Sequence, residues 1–399
     1  MKHKSFFLPA LLITLCFFFT VNVNAQTAVA PKVKTYRVGI FAPLYLDSMF
    51  SPAGYKYGKS LNKNLLPGVE FVQGALIALD SMQLWDGNVE AFVYDTRSYT
   101  QPLNTLIKSK DIDSLDLMIG SVKDIEFKEL ADFALLKNIP FISATYPNDG
   151  NITSNPFTAI MTSTLKSHCE AIYSYLLQSH GTDKLFLIRK KGAQEDKVAG
   201  YFKSLNEQDG KPLLNIQTIN IDSSISYDFL KNKLDSNRQT VIIGASLDEG
   251  FANSLAYTCR DLNSTYPITL IGMPTWDGFN ALRKKDEFEN FPIYFTTAYF
   301  NNKTDYYSKM LTAAYSKKYK SKPSDMAFKG YEAAYYFLKL LVKYPNDLMS
   351  HLNDKTFKIF TDYNFRPVSL KKNSSVPDYF ENKHLYFIKI TNGSSSVAW

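Results

Sequence analysis

Cysteine is close to absent from this chain: three in 399 residues, Cys16, Cys169 and Cys259. Cys16 falls in an N-terminal apolar run, so no disulfide framework can organise the fold. Cys169 and Cys259 are left either to form one bridge in an oxidising compartment or to sit as two buried thiols. Histidine is also scarce. His168, His180, His351 and His384 stand apart from any serine-bearing Gly turn, and no H-E-x-x-H, G-x-S-x-G or P-loop pattern occurs, which removes the common hydrolase and nucleotide-binding signatures. His168 and Cys169 are neighbours on a predicted helix and point in different directions, so they make no catalytic dyad. Nothing clusters His, Cys and Asp for a metal, and the expectation is a protein with no catalytic residue, no metal and no cofactor.

Concentrated charge is missing too. The formal charge is +7, but the basic runs are short, Arg189-Lys190-Lys191, Arg283-Lys284-Lys285 and Lys371-Lys372, and such runs are ordinarily solvated faces. Nucleic acid is therefore not an expected partner. Only one long apolar stretch exists, Phe6 to Thr20, preceded by Lys2 and Lys4 and followed by Val23-Asn24-Ala25. That is a secretory leader, with residues 1–25 removed by a cut near Ala25, and it is shorter than the ~20 residues a spanning helix needs. Leu15 stands where a lipoprotein signal wants a small residue. The expected product is soluble and exported to the periplasm, with no membrane span once the leader is cut.

What the sequence does have is alternation. Short β-branched runs at Tyr36–Ala42, Val89–Tyr94, Leu115–Ile119, Phe141–Ser143, Phe157–Met161, Lys184–Ile188, Leu214–Ile219, Thr240–Gly244, Ile268–Gly272 and Ile293–Thr297 take turns with amphipathic segments such as Gly68–Met82, Lys123–Lys137 and Thr164–His180. This is the pattern of parallel sheets covered by helices. Ten strands exceed one short doubly wound sheet, and at Phe157–Thr164 a strand leads straight into a new helix. We read the chain as crossing there. Lobe 1 takes residues 36–161 plus 298–350, the later part being the helices Tyr306–Tyr319 and Asp325–Lys343. Lobe 2 takes 162–297 plus 351–399, with short strands at Lys358–Phe360, Phe365–Ser369 and Leu385–Ile390.

Three stretches, GVEFVQGALIALD from Gly68, LMIGSVKDIEFKELADFALLKNIPFISA from Leu117 and DMAFKGYEAAYYFLKLL from Asp325, resemble the type I periplasmic binding proteins, in particular the leucine/isoleucine/valine-type substrate-binding components of ABC importers. The resemblance implies an α/β protein of two Rossmann-like lobes joined by three hinge crossings, closing on a small polar ligand such as an amino acid, with an ABC permease as partner. In open parallel sheets ligands bind outside the carboxyl ends of strands, beside helix N-termini. Ser121 then stands where the family's loop holds a ligand carboxylate, although Val122 and Lys123 supply no second hydroxyl; its other reading is a cap for the helix after it. Ser143, Thr145 and Tyr146 follow the next strand, Thr145 as a hydroxyl contact and Tyr146 as a ligand contact or a ring packing its own loop.

Asp248 is either the counter-ion of a ligand ammonium or the N-cap of the helix after Ser246-Leu247. Trp276, in the turn of TLIGMPTWDGFNAL, is expected to wall the cleft, with core packing as its competitor. A fold of this kind also serves ligand-sensing modules and protein-partner regulators of envelope enzymes or signalling, and that is the rival to solute capture.

Overall fold

A computed structural model of the chain describes residues 34–58, 62–82, 88–222, 224–371 and 374–398; the expected leader, residues 1–25, and the expected cut near Ala25 lie outside the described residues. From Tyr36 onward the chain is one compact unit built on two seven-stranded sheets. The first holds β1 (Tyr36–Ala42), β2 (Val89–Asp95), β3 (Leu117–Gly120), β4 (Phe141–Ser143) and β5 (Thr158–Ile160) in the order β5-β4-β3-β1-β2, all parallel. The second holds β6 (Lys184–Lys190), β7 (Ile216–Ile221), β8 (Thr240–Gly244), β9 (Ile268–Gly272) and β10 (Ile293–Thr297) in the order β7-β6-β8-β9-β10, again parallel.

Each sheet is completed from the C-terminal end of the chain. β11 (Phe365–Val368) and β12 (Tyr379–Asn382) extend the first sheet beyond β5, whereas β13 (Tyr386–Thr391) and β14 (Ser394–Val397) extend the second beyond β10. This corrects the expected partition. Residues 351–382 do not belong to the second lobe, because β12 pairs parallel with β5. Lys358–Phe360 forms no strand; a 3-10 turn ends just before it, at Lys355–Phe357. The chain therefore crosses between lobes at Met161–Leu165, after Thr297, and at Asn382–Tyr386, the last crossing some thirty residues later than the composition change after Pro345 suggested.

Side-chain alternation assigns the faces of the first sheet. Val38, Ile40, Ala42, Leu117, Ile119, Ile142 and Ala144 enter one core with α1 (Leu66–Met82), α7 (Tyr306–Tyr319) and α8 (Asp325–Lys343). Phe41, Met118 and Phe141 enter another with α2 (Leu103–Ser109) and α3 (Asp124–Lys137). The second sheet shares one core with α4 (Leu165–Ser179), α5 (Ala193–Asn206) and α6 (Glu249–Leu262). Cys169 and Cys259 lie in that core as separate buried thiols, and burial pushes the Cys169 thiol up to about 12. Among the described residues no helix is long and apolar enough to cross a membrane, and no group of His, Cys, Asp and Glu could hold a metal ion.

Candidate functional site

Parallel strands put all their carboxyl ends on one edge, and the turns there carry the polar groups of the first lobe. The ladder continues past two strand ends: Ser121 N–H donates to the Phe41 carbonyl at 2.8 Å and Ala144 N–H to the Gly120 carbonyl at 2.8 Å. These bonds hold the turns after β3 and β4 side by side. As a result the Ser121 Oγ and Thr145 Oγ1 hydroxyls meet at 3.1 Å. Beside them α3 begins at Asp124 with Lys123 as an extended N-cap that makes no side-chain capping bond. Ser121 thus does not cap this helix; its hydroxyl is committed sideways, to Thr145.

The other candidates of the first lobe are used internally. Ser143 is the last residue of β4, wholly buried, and its hydroxyl has no hydrogen-bond partner among the described residues. Tyr146 donates its hydroxyl to Asp124 Oδ1 at 3.0 Å and packs its ring 5.2 Å from that of Phe127, so it braces its own loop. Burial, with the Asp124 carboxylate next in weight, raises the Tyr146 phenol above its ordinary value.

Two carboxylates that sequence reasoning passed over shape the neighbouring turns. Asp95 accepts the N–H groups of Leu44, Tyr45, Leu46 and Arg97 at 2.7–3.0 Å. Asp47 accepts Ser98 Oγ, Tyr99 N–H and both donors of Thr100 at 2.7–3.0 Å. The amides at the end of β1 are therefore already occupied by an anion of the protein itself, and among these strand ends the hydroxyl pair beside α3 remains the place with polar groups turned to one another and not to a carboxylate. Nothing in the local spacing marks Asp95 or Asp47, since their partners, Arg97 apart, lie some fifty residues away.

The edge of the second lobe is organised by Ser246. Its hydroxyl donates to the buried Glu195 Oε1 at 2.6 Å and accepts the Asp248 N–H at 3.2 Å, while its carbonyl accepts Trp276 Nε1 at 2.9 Å. Trp276 is fully buried in the core of the second lobe. The expected cleft wall is thus corrected. Its indole lies over Gly244 and Gly272, the last residues of β8 and β9, where a side chain of any size would collide with it. Asp248 is the N-cap of α6, accepting Phe251 N–H at 2.8 Å, and pairs with Lys190 at 3.0 Å. The hydrogen bond from Phe251 and the Lys190 ammonium hold its carboxyl below the usual range. Asp248 therefore already has a cation, which a ligand ammonium would have to displace.

Opposite this edge, α8 brings Lys329, which sequence reasoning missed, within electrostatic reach of Asp277 in the turn after β9. Lysine in an amphipathic helix reads as a solvated face, and only the fold shows it half-buried.

A model of the periplasmic binding protein family matches residues 71–358. Among solved structures the fold is similar to that of a branched-chain amino acid ABC transporter periplasmic ligand-binding protein from Burkholderia xenovorans, at 12% identity over 91% of this chain and 94% of that one, with a TM-score of 0.58. It is similar also to an ABC transporter substrate-binding protein from Desulfitobacterium hafniense in complex with leucine, at 13% identity over 91% and 100% of the chains, TM-score 0.54. A third is the branched-chain amino acid transporter substrate-binding protein from Streptococcus pneumoniae in complex with isoleucine, at 17% identity over 92% and 99%, TM-score 0.50. At such identities the likeness is one of fold. No curated protein matches the sequence.

Proposed function

Because the chain belongs to the periplasmic binding protein family, we propose that it is an exported solute-binding protein that captures a small polar molecule, an amino acid or amide-like solute, between its lobes and hands it to an ABC importer in the envelope. The observation that carries this reading is the Ser121–Thr145 hydroxyl pair, 3.1 Å apart at the carboxyl ends of adjacent parallel strands, beside a helix start whose N-cap residue, Lys123, makes no side-chain capping bond. Two hydroxyls and a helix N-terminus are suited to a carboxylate or carbonyl, because each hydroxyl can turn its hydrogen toward the ligand and the uncapped N–H groups add a partial positive charge. Asp248 stands on the lobe-two edge as the acceptor for an ammonium, in exchange for Lys190.

Thermal-shift screening of the amino acids, their amides and short peptides, followed by calorimetry on the hits, tests this. At least one solute should raise the melting temperature. Ser121→Ala and Thr145→Val should each weaken its binding by about 1–3 kcal/mol, the cost of leaving a bound polar group without its partner, beyond the small fall in the unfolding midpoint of the unliganded protein that loss of the bond between the two hydroxyls brings. Should no solute stabilise the protein, the reading falls.

A second reading is that of a sensing module with a protein partner. In its favour, the loop after β1 exposes Leu46, Phe50 and Tyr57, and Tyr99 of the neighbouring turn is exposed as well, an apolar display at the strand-end edge of the first lobe.

A further inference from the structure

The crossing after β10 and the opening turns of α8 bring together three cations and three acids whose direct pairings leave one cation without a contact partner. Lys303 pairs with Asp325 at 2.8 Å. Arg283 pairs with Asp277 and also donates to its carbonyl at 2.8 Å. The buried Glu332 carboxylate accepts Phe360 N–H, Thr361 N–H and the Thr361 hydroxyl. Every acid in the set is thus already engaged.

Lys329 is the cation without a direct ion pair, with Asp325, Asp277 and Glu332 acting on it only at longer range. It is half-buried, has no hydrogen-bond or ion-pair partner among the described residues, and rests its ammonium 5.1 Å from the centroid of the Tyr299 ring. A cation over an aromatic face is attracted weakly, by about 0.5–2 kcal/mol, which does not match the cost of holding an ammonium out of water. Burial accordingly lowers its proton affinity despite the nearby Asp325, Asp277 and Glu332. Tyr299 itself buries a hydroxyl that meets no partner among the described residues. An unpaired cation and an unpaired hydroxyl, side by side at a crossing between the lobes, form half of an ion-binding arrangement. The element that carries Lys329 also touches β3, the strand that ends at Ser121.

We propose that Lys329 recognises an acidic group of the bound solute, so that the ligand carries a second anionic group beyond the end held by Ser121 and Thr145. This rests on the solute-binding reading above and narrows it to dianionic solutes, or zwitterionic ones with an acidic side chain. Closure of the lobes would bring that group to the Lys329 ammonium in a water-poor site, where a charge-assisted hydrogen bond is strongest.

Acid and amide pairs of equal shape isolate the charge: L-glutamate with L-glutamine, L-aspartate with L-asparagine, succinate with succinamate. Calorimetry on the wild-type chain should find the acid member of at least one pair bound more tightly than its amide. In Lys329→Met the acid member should lose about ten- to hundredfold in affinity, the amide member should change little, and Lys329→Arg should restore the preference. Equal binding of acid and amide by the wild type, or an acid preference that survives in Lys329→Met, overturns the inference, as does a wild type that takes a neutral solute and none of the acids. A chain that takes none of the six probes and no solute in the wider screen overturns the solute-binding reading itself, and the inference with it.

Discussion

A methyl group on Gly272 would stand 2.2 Å from Cδ2 of Trp276, and one on Gly244 would stand 2.5 Å from its Cη2. The two glycines are the floor on which the indole lies, and the Ser246 carbonyl takes its one donor. With a buried Nε1–H bonded and the ring enclosed, truncation leaves a cavity and an orphaned carbonyl together. Trp276→Ala should therefore lower stability by about 3–5 kcal/mol, read as a shift in the urea midpoint, and should leave the affinity of whatever protein remains folded unchanged. A loss of affinity at full stability would return the residue to the cleft. From sequence the competing accounts of Trp276 could not be separated, because a turn rich in Gly and Pro suggests exposure, while the reason for the glycines lies in a ring that folds back on them from the adjoining turn.

Between elements, α1 and α8 approach closely through a glycine on each. A Cβ on Gly330 would come within 1.9 Å of the Phe71 carbonyl oxygen, and one on Gly74 within 1.9 Å of that of Ala327. Both obstacles are backbone, so neither can rotate away, and the two helices must part if either glycine gains a side chain. Gly330→Ala gains helix propensity, worth about 1 kcal/mol at most, and loses more than that to overpacking, about 3 kcal/mol or beyond. We expect a net fall in melting temperature, measured by calorimetry on the unliganded protein; an unchanged or raised value would show that the helices are not held this close. The α8 helix was legible from its stripe of apolar residues, Asp325–Lys343 to the residue, as were β8, β9 and β10 from their β-branched runs. β12 was not, since Tyr-Phe-Glu-Asn after a Pro-Asp pair carries no strand pattern and becomes a strand by filling the place between β5 and β11.

At the scale of the whole molecule, the three crossings are tied to one another by buried polar groups. Glu381 accepts Thr164 N–H and Ser167 Oγ, both at 2.7 Å, and pairs with Lys383 at 2.8 Å. Burial opposes its charge, but Lys383 and these hydrogen bonds outweigh it and hold the carboxyl below its ordinary value. Ser163 Oγ donates to the Asn382 carbonyl at 2.5 Å and Asn382 Nδ2 to the Met161 carbonyl at 3.1 Å. His168, on the helix after the first crossing, reaches Thr296 at the second through Nδ1, 2.8 Å away.

Burial depresses this imidazole to about 4 from 6.5, against smaller opposing effects of Glu381 and the Ser163 backbone. The folded value lies below the unfolded one, so the unfolded chain binds the proton first as pH falls. The stability at stake is whole above pH 6.5, declines between 6.5 and 4, and levels off below, for a total of up to about 3 kcal/mol. Urea denaturation across that range should show a steeper decline in the wild type than in His168→Asn; parallel curves would mean that the ring is protonated without cost.

The sequence by itself determined the class of fold. Its alternation of β-branched runs with amphipathic helices, its one sharp crossing at Phe157–Thr164 and its two late helices are local patterns, and local patterns follow from backbone propensity and from which face must be buried. It also singled out Ser121 and Thr145, because the strand ends that carry them could be located. What only the tertiary structure decided is which side chains are spent on the protein and which are left over. That Trp276 and Ser143 are buried, that Asp248 is already paired with Lys190, that the chain stays with the first sheet through Asn382, and that Lys329 makes no direct ion pair are outcomes of contacts between residues tens to hundreds of positions apart. Such contacts are set by how the layers pack, and no spacing along the chain records them.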